Sequence, residues 1–272
     1  MSFVERTAVT QWAPDRLWEI AAPLIPPGPR RRQGGGRRRG DDRAILAAIL
    51  YMTKAGCSWQ ALPVAMFGVS RATTHRRFTE WTAAGLWTSL HYRVLDLLGA
   101  QGGIDWSRAV VDSISVRAQK GELTGPSPVD RGKPGSKIHV MSDRAGLPLA
   151  VLISAANVAD AHLLLPLMDS VTPIRSRRGR PRRKPAKLHA DKAYDNQYLR
   201  AALRADRIGI RIARRGIESS QRLGRHRWVI ERTLSWLMNY RRLVRRYERT
   251  SEHFLAFADI ACTLTCYNHL TK

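Results

Sequence analysis

The stretch "RAVVDSISVRA" at residues 108–118 decides the fold. Val110, Asp112, Ile114 and Val116 recur with a period of two, which puts them on one face of a strand, and the β-branched content agrees. Upstream the chain reads as helix and loop; from here on strands appear. The segment therefore divides a helical unit, 1–100, from a sheet-forming unit, 101–272. It also carries an acid, Asp112, inside its first strand.

Downstream, a Gly/Pro loop at 121–135 leads into "SKIHVMSDRAGLPLAVLISAA" (136–156), two strands joined by a good turn sequence at Asp143-Arg144-Ala145-Gly146. "NVADAHLLLPLMDSV" (157–171) reads as a helix, with Asn157 and Asp160 as helix-start groups. A basic loop, 175–187, precedes "KLHADKAYD" (187–195), a short strand ending at Asp191. "NQYLRAALRAD" (196–206) is a helix and "IGIRIAR" (208–214) a strand. "RHRWVIERTLSWLMNYRRL" (225–243) is an amphipathic helix, and an apolar helix from Phe254 to Leu270 closes the chain. The order is strand, hairpin, helix, strand, helix, strand, helix, an α/β arrangement with a mixed sheet.

Upstream, "DRLWEIAAPLIPP" (15–27) holds one short helix, and "GPRRRQGGGRRRGDDR" (28–43) is a flexible basic loop. A helix over 41–54, the turn "GCSWQALP" (56–63) and a basic helix capped by Ser70 follow. The basic helix carries Arg71, Thr73, His75, Arg76 and Arg77, with Phe78 and Trp81 facing inward. Helix, turn, basic helix is a helix-turn-helix-like pattern.

The 272 residues hold 46 Lys and Arg against 22 Asp and Glu, a net charge of +24 that calls for a polyanionic partner, nucleic acid first. No run reaches the roughly 18 apolar residues of a membrane span. Three cysteines make no disulfide framework, and without a basic-then-apolar leader the expected location is a reducing bacterial cytoplasm, in association with the nucleoid. Cys262, Cys266 and His269 share a helical face, but the companion half of a zinc site is missing, which favours buried thiols. No GxxxxGK[ST] loop is present, so no nucleotide cofactor is expected.

Between Asp206 and Glu248 the only acids are Glu218 and Glu231, set among twelve arginines. Glu231 reads either as an ion-pair partner of Arg227 four residues earlier or as a cation ligand in a segment whose arginines hold a polyanion. Asp112 and Asp191 have structural alternatives too, capping or pairing at a strand end. Helical spacing favours core packing over base stacking for Trp228 and Trp236.

"VVDSISVRA", the hairpin segment, "LHADKAYDN" and "RHRWVIERTLSWLMNYRRL" together resemble bacterial insertion-sequence transposases of the DDE type, in the insertion-sequence-five family. "GCSWQALPVAMFG" and "RRFTEWTAAGLW" resemble the small helical domain before their catalytic core. The resemblance implies a ribonuclease-H-like core in which Asp112, Asp191 and Glu231 converge as catalytic residues and metal ligands. It implies Mg²⁺, with Mn²⁺ able to substitute, and in-line displacement at phosphorus. The implied partner is double-stranded DNA, both transposon ends and target, bound by a homodimer or larger synaptic complex. Around the glutamate the related pattern is Tyr-x2-Arg-x3-Glu-x6-Lys; Arg227 and Glu231 match, whereas Gly224 and Met238 depart from it. Arg227, Arg241, Arg242, Lys192, Lys137, Arg71, Arg76 and Arg77 are the expected DNA contacts, with His189 and His139 as neighbours of the site. A DNA-binding regulator with a decayed catalytic domain, a nuclease that cuts without joining, and a basic ribosomal scaffold are the competing functions.

Overall fold

The computed structural model describes residues 3–28, 39–214 and 220–272, with the backbone alone at 3 and 220–227. Most of the basic loop expected at 28–43 lies outside the described residues.

Two short helices, α1 (Phe3–Trp12) and α2 (Asp15–Ala21), precede α3 (Asp42–Ala55). The Asp41 carboxylate caps α3 by accepting from the Arg43 and Ala44 amides, and Gly56 ends it at φ 71°, a conformation glycine adopts without Cβ strain. Every residue from Ala44 to Leu50 is buried, so α3 is a core helix, apolar on all sides. Ser70 caps α4 (Arg71–Ala83) by accepting from the Thr73 amide at 3.2 Å, and α5 (Leu86–Ala100) follows. The α3–α4 connection takes all of 56–70, including a 3₁₀ turn at Val64–Met66, and is much longer than the three- or four-residue turn of a helix-turn-helix.

The sheet is built around β1 (Ala109–Ala118). The short β2 (Gly125–Pro126) leads to β3 (Pro134–Asp143), which runs antiparallel to β1 from Ala109↔Asp143 to Arg117↔Gly135. The turn expected at 143–146 returns the chain as β4 (Pro148–Ala155), with Gly146 at φ 88° and the buried Asp143 carboxylate accepting from the Leu147 amide at 2.8 Å. A 3₁₀ turn, Asp160–Leu163, leads into the brief α6 (Leu164–Asp169), so the helix expected over 157–171 is shorter and begins tighter. Asp160 is nevertheless a helix-start residue. The basic loop 175–187 is tied down by Arg175 to Asp96 (2.6 Å) and Lys184 to Asp206 (2.6 Å).

On the other side of β1, β5 (Lys187–Ala190) runs parallel to it; α7 (Gln197–Ala205) then leads to β6 (Gly209–Ile212), parallel to β5. The main sheet order is β4-β3-β1-β5-β6, three antiparallel strands followed by two parallel ones, a mixed sheet of the ribonuclease-H-like kind. The long α8 (Ser220–Met238) packs on β1, β3 and β5. After α9 (Arg241–Val244) and β7 (Arg245–Arg246), α10 (Ser251–Leu270) packs against α3, α4 and α5 as well as β4. The helical unit and the sheet thus share one continuous core, joined by α10.

Candidate active site

The first aspartate is positioned by strand register. The parallel ladder pairs Ala109 with Leu188 and Val110 with His189; two residues further along each strand stand Asp112 and Asp191. Neighbouring strands lie about 4.8 Å apart, so both acids sit at one level where β5 ends and β1 continues. In open α/β sheets ligands gather beyond the carboxyl ends of parallel strands, and Asp191 is the first residue past such an end. β5 stops there because Asp191 caps a 3₁₀ turn, Lys192–Tyr194, accepting from the Ala193 amide at 2.8 Å. The Asp112 Oδ1 accepts from the Ser113 amide, also at 2.8 Å.

Glu231 belongs to the helix laid over these strands. Ile230, Thr233, Leu234 and Leu237 form the buried face of α8, while Glu231 is exposed. Two hydrogen bonds fix the helix to the β3–β4 turn: Arg232 Nη2 donates to the Ala145 carbonyl (2.5 Å) and Thr233 Oγ1 to the Gly146 carbonyl (2.7 Å). Among the described residues no three His, Cys, Asp or Glu side chains gather closely enough to hold a metal ion. The two aspartates are therefore on adjacent strands and the glutamate on the crossing helix, without a closed three-carboxylate cluster. The Arg227 side chain and the Gly224 position, and with them the Arg227–Glu231 pair, lie outside the described side chains.

A neighbouring group escaped the sequence reading. Lys137 Nζ donates to Asp160 Oδ1 (2.8 Å) and to the Val158 carbonyl (2.9 Å), so its charge is engaged inside the fold. His139 is fully buried, its Nε2 2.8 Å from Ser154 Oγ and its Nδ1 3.9 Å from Asp160 Oδ1. Burial pushes its pKa down to about 4, which leaves a neutral ring near pH 7. Next to this group, Tyr194 is 1% exposed and its hydroxyl has no hydrogen-bond partner among the described residues. Burial, then the charges of Asp160, Asp112 and Asp191, raise the tyrosine's pKa. The readable signal was the tyrosine in "DKAYD", three residues after Asp191.

The basic residues separate into two kinds. Arg71, Arg76, Lys192 and Arg241 are exposed. Arg77 and Arg242 depart from the expectation of phosphate contact, because both are buried. Arg77 pairs with Glu80 and faces Asp42 at 3.7 Å. Arg242 pairs with Glu248 at 2.6 Å, donates to the Cys57 carbonyl at 2.7 Å and lies over the Phe257 ring. Trp228 is 52% exposed, not core, and the Arg232 guanidinium lies 4.6 Å from its ring and from that of Trp236. Cys262 and Cys266 are buried, as expected, and burial raises both thiols.

A mixed sheet with acids at the end of its central parallel pair is the architecture of a metal-dependent phosphoryl-transfer core. The model of the transposase DDE domain matches residues 107–268, and a model described as a transposase of the IS4/5 family matches 14–91. The chain belongs to the DDE transposase family and is a DNA-cleaving and DNA-transferring enzyme of the insertion-sequence kind. A Burkholderia cepacia protein assigned as transposase for insertion sequence element IS402 is 46% identical over 149 residues, 55% of this chain and 71% of that protein. A Brucella ovis protein assigned as transposase for element IS6501 is 26% identical over 135 residues, 47% of this chain and 95% of that protein. The pre-cleavage Mos1 transpososome structure is 11% identical, covers 90% of this chain and 82% of its own, and superposes with a TM-score of 0.27, too slight to bear on the site.

Proposed function

We propose that Asp112, Asp191 and Glu231 are the catalytic carboxylates of this transposase, and that they hold Mg²⁺, for which Mn²⁺ can stand in. The observation that carries the reading is the register: Asp112 and Asp191 each lie two residues beyond a parallel pair, under the helix that bears Glu231. The donor set fits a hard divalent cation, because all three side chains offer carboxylate oxygens and no thiol is near them. A pair of such cations, when bound, polarises the scissile phosphate and supports the attacking and leaving oxygens. The chain's own contribution is positional. Asp191 is held by its capping bond and Asp112 by its strand, while α8 delivers Glu231 through its seam with the β3–β4 turn. Movement of α8 toward the strand ends would complete the ligand set when DNA is engaged.

The exposed Arg241 and Lys192, with Arg227, are the proposed phosphate contacts near the site; Arg71 and Arg76 on α4 serve the helical unit, 1–100, as it grips the terminal inverted repeats. Phosphate contacts of this kind position the duplex without reading it. Two ends must be joined to one target, so the active form is proposed to be a dimer or larger assembly on DNA. No helix among the described residues is long and apolar enough to cross a membrane, in keeping with a nucleoid-bound enzyme.

The test uses a labelled duplex carrying the ends of the parent element, supercoiled target DNA, and Mg²⁺ or EDTA. Mg²⁺-dependent nicking at the ends and joined products are expected, with both abolished in Asp112→Asn and Glu231→Gln variants that still bind. Binding without cleavage in either condition would favour a DNA-binding regulator and return Glu231 to an ion-pair role.

A further inference from the structure

Tyr194 poses a problem that its own neighbourhood answers. A buried hydroxyl without a partner is uncommon and calls for an explanation. This one sits in the 3₁₀ turn that Asp191 caps, its amide donating to the Asp191 carbonyl at 3.2 Å. The turn packs against the 3₁₀ turn that begins at Asp160. Three carboxylates, those of Asp160, Asp112 and Asp191, act on the hydroxyl, and together with burial they oppose its ionisation. A phenol held neutral is a hydrogen-bond donor rather than a base. Asp160 is already engaged by Lys137 at 2.8 Å, which neutralises the third acid and keeps it from competing for a cation. The acceptors that remain are the two strand-end aspartates. Each has one oxygen occupied by a backbone amide, and a carboxylate has capacity for more.

We propose that Tyr194 is a positioning residue of the carboxylate site: when a divalent cation is bound, its sealed hydroxyl donates to the Asp112–Asp191 pair and fixes the orientation of these ligands. The inference rests on the assignment of Asp112 and Asp191 as metal ligands. Partners that hydrogen-bond a ligating carboxylate commonly govern metal affinity as strongly as a ligand's own orientation does. The hydroxyl is the one part of Tyr194 that burial alone does not explain, so removing it should have opposite effects in the two states. In the metal-free protein its loss removes an unpaired polar group; in the loaded protein it removes a hydrogen bond.

The experiment compares full-length wild type, Tyr194→Phe and Asp112→Asn, measuring Mn²⁺ binding by titration calorimetry and the melting temperature of each protein in EDTA. Tyr194→Phe is expected to melt at or above the wild-type temperature in EDTA while binding Mn²⁺ about tenfold or more weakly, and Asp112→Asn to lose Mn²⁺ binding. An affinity within twofold of wild type for Tyr194→Phe, with binding lost in Asp112→Asn, overturns the role of Tyr194 and leaves the metal site standing. A melting temperature in EDTA several degrees below wild type, or failure of Tyr194→Phe to fold, also overturns it, since the hydroxyl would then be bonded in the metal-free protein. Unchanged Mn²⁺ binding by Asp112→Asn overturns the site assignment and the positioning role together.

Discussion

Arg241 and Arg242 are adjacent, identical side chains with opposite fates. Arg241 is exposed, whereas Arg242 is sealed in an ion pair whose side chains are only 4% and 3% exposed. Removing one member of a buried pair strands the other charge, so Arg242→Ala should cost about 3–5 kcal/mol in urea denaturation. Arg241→Ala should leave stability within about 0.5 kcal/mol and instead reduce the salt slope of DNA binding by about one. Equal destabilisation by the two variants would contradict this division. The sequence could not separate them, because helical periodicity says which residues share a face but not which tertiary neighbour, here Glu248 and Cys57, closes over that face. Lys137 is the same case: its partner Asp160 is 23 positions away, and only the fold brings the two together. Asp112 and Asp191 were legible for the opposite reason, since a strand's period of two and a strand's end are written locally.

Among the elements, the seam between α8 and the β3–β4 turn matters most, because α8 carries Glu231. The Thr233 hydroxyl donates to the Gly146 carbonyl at 2.7 Å, with the Val229 carbonyl 3.0 Å away, and the whole group is buried. Thr233→Val keeps the shape and leaves the Gly146 carbonyl unpaired, which should destabilise the protein by about 1–3 kcal/mol; a denaturation midpoint equal to wild type would mean the seam contributes nothing. Most elements could be read from the sequence, the hairpin most clearly, since its turn residues and alternating strands agree. The helix after it could not be read accurately. Its apolar run continues to Val171, yet the chain begins as a 3₁₀ turn at Asp160 and the α-helix ends at Asp169. Hydrophobic runs record burial, and here burial extends beyond the helix.

For the whole molecule, α10 unites what the sequence divides at residue 100, since an apolar helix does not announce which of two surfaces it will cover. It covers both. It also brings a buried acid into the interface: Asp259 accepts from Thr88 Oγ1 at 2.6 Å, and burial pushes its pKa up to about 7. Burial likewise raises Asp143 to about 6 and lowers His91 and His139 to about 4. The signs oppose one another. A raised aspartate contributes stability that is present below its unfolded value near 3.8 and is lost as pH rises through the folded value. A lowered histidine contributes stability that is present above 6.5 and is lost as pH falls through about 4. Wild-type stability should therefore be nearly flat from pH 4.5 to 6.5. Asp259→Asn, which keeps an acceptor for Thr88, should unmask the histidines and gain on the order of 2 kcal/mol across that interval. Urea melts at the two pH values decide it, and a flat profile in the variant would contradict the assignment.

The central claim, that Asp112, Asp191 and Glu231 together hold the catalytic cations, is tested most directly by crystallising the protein on a terminal-repeat duplex with Mn²⁺ and locating the metal by anomalous scattering. The account predicts anomalous peaks bounded by the carboxylates of Asp112 and Asp191, with Glu231 brought in by α8. Manganese bound elsewhere, or ligated without Asp112 and Asp191, would contradict it.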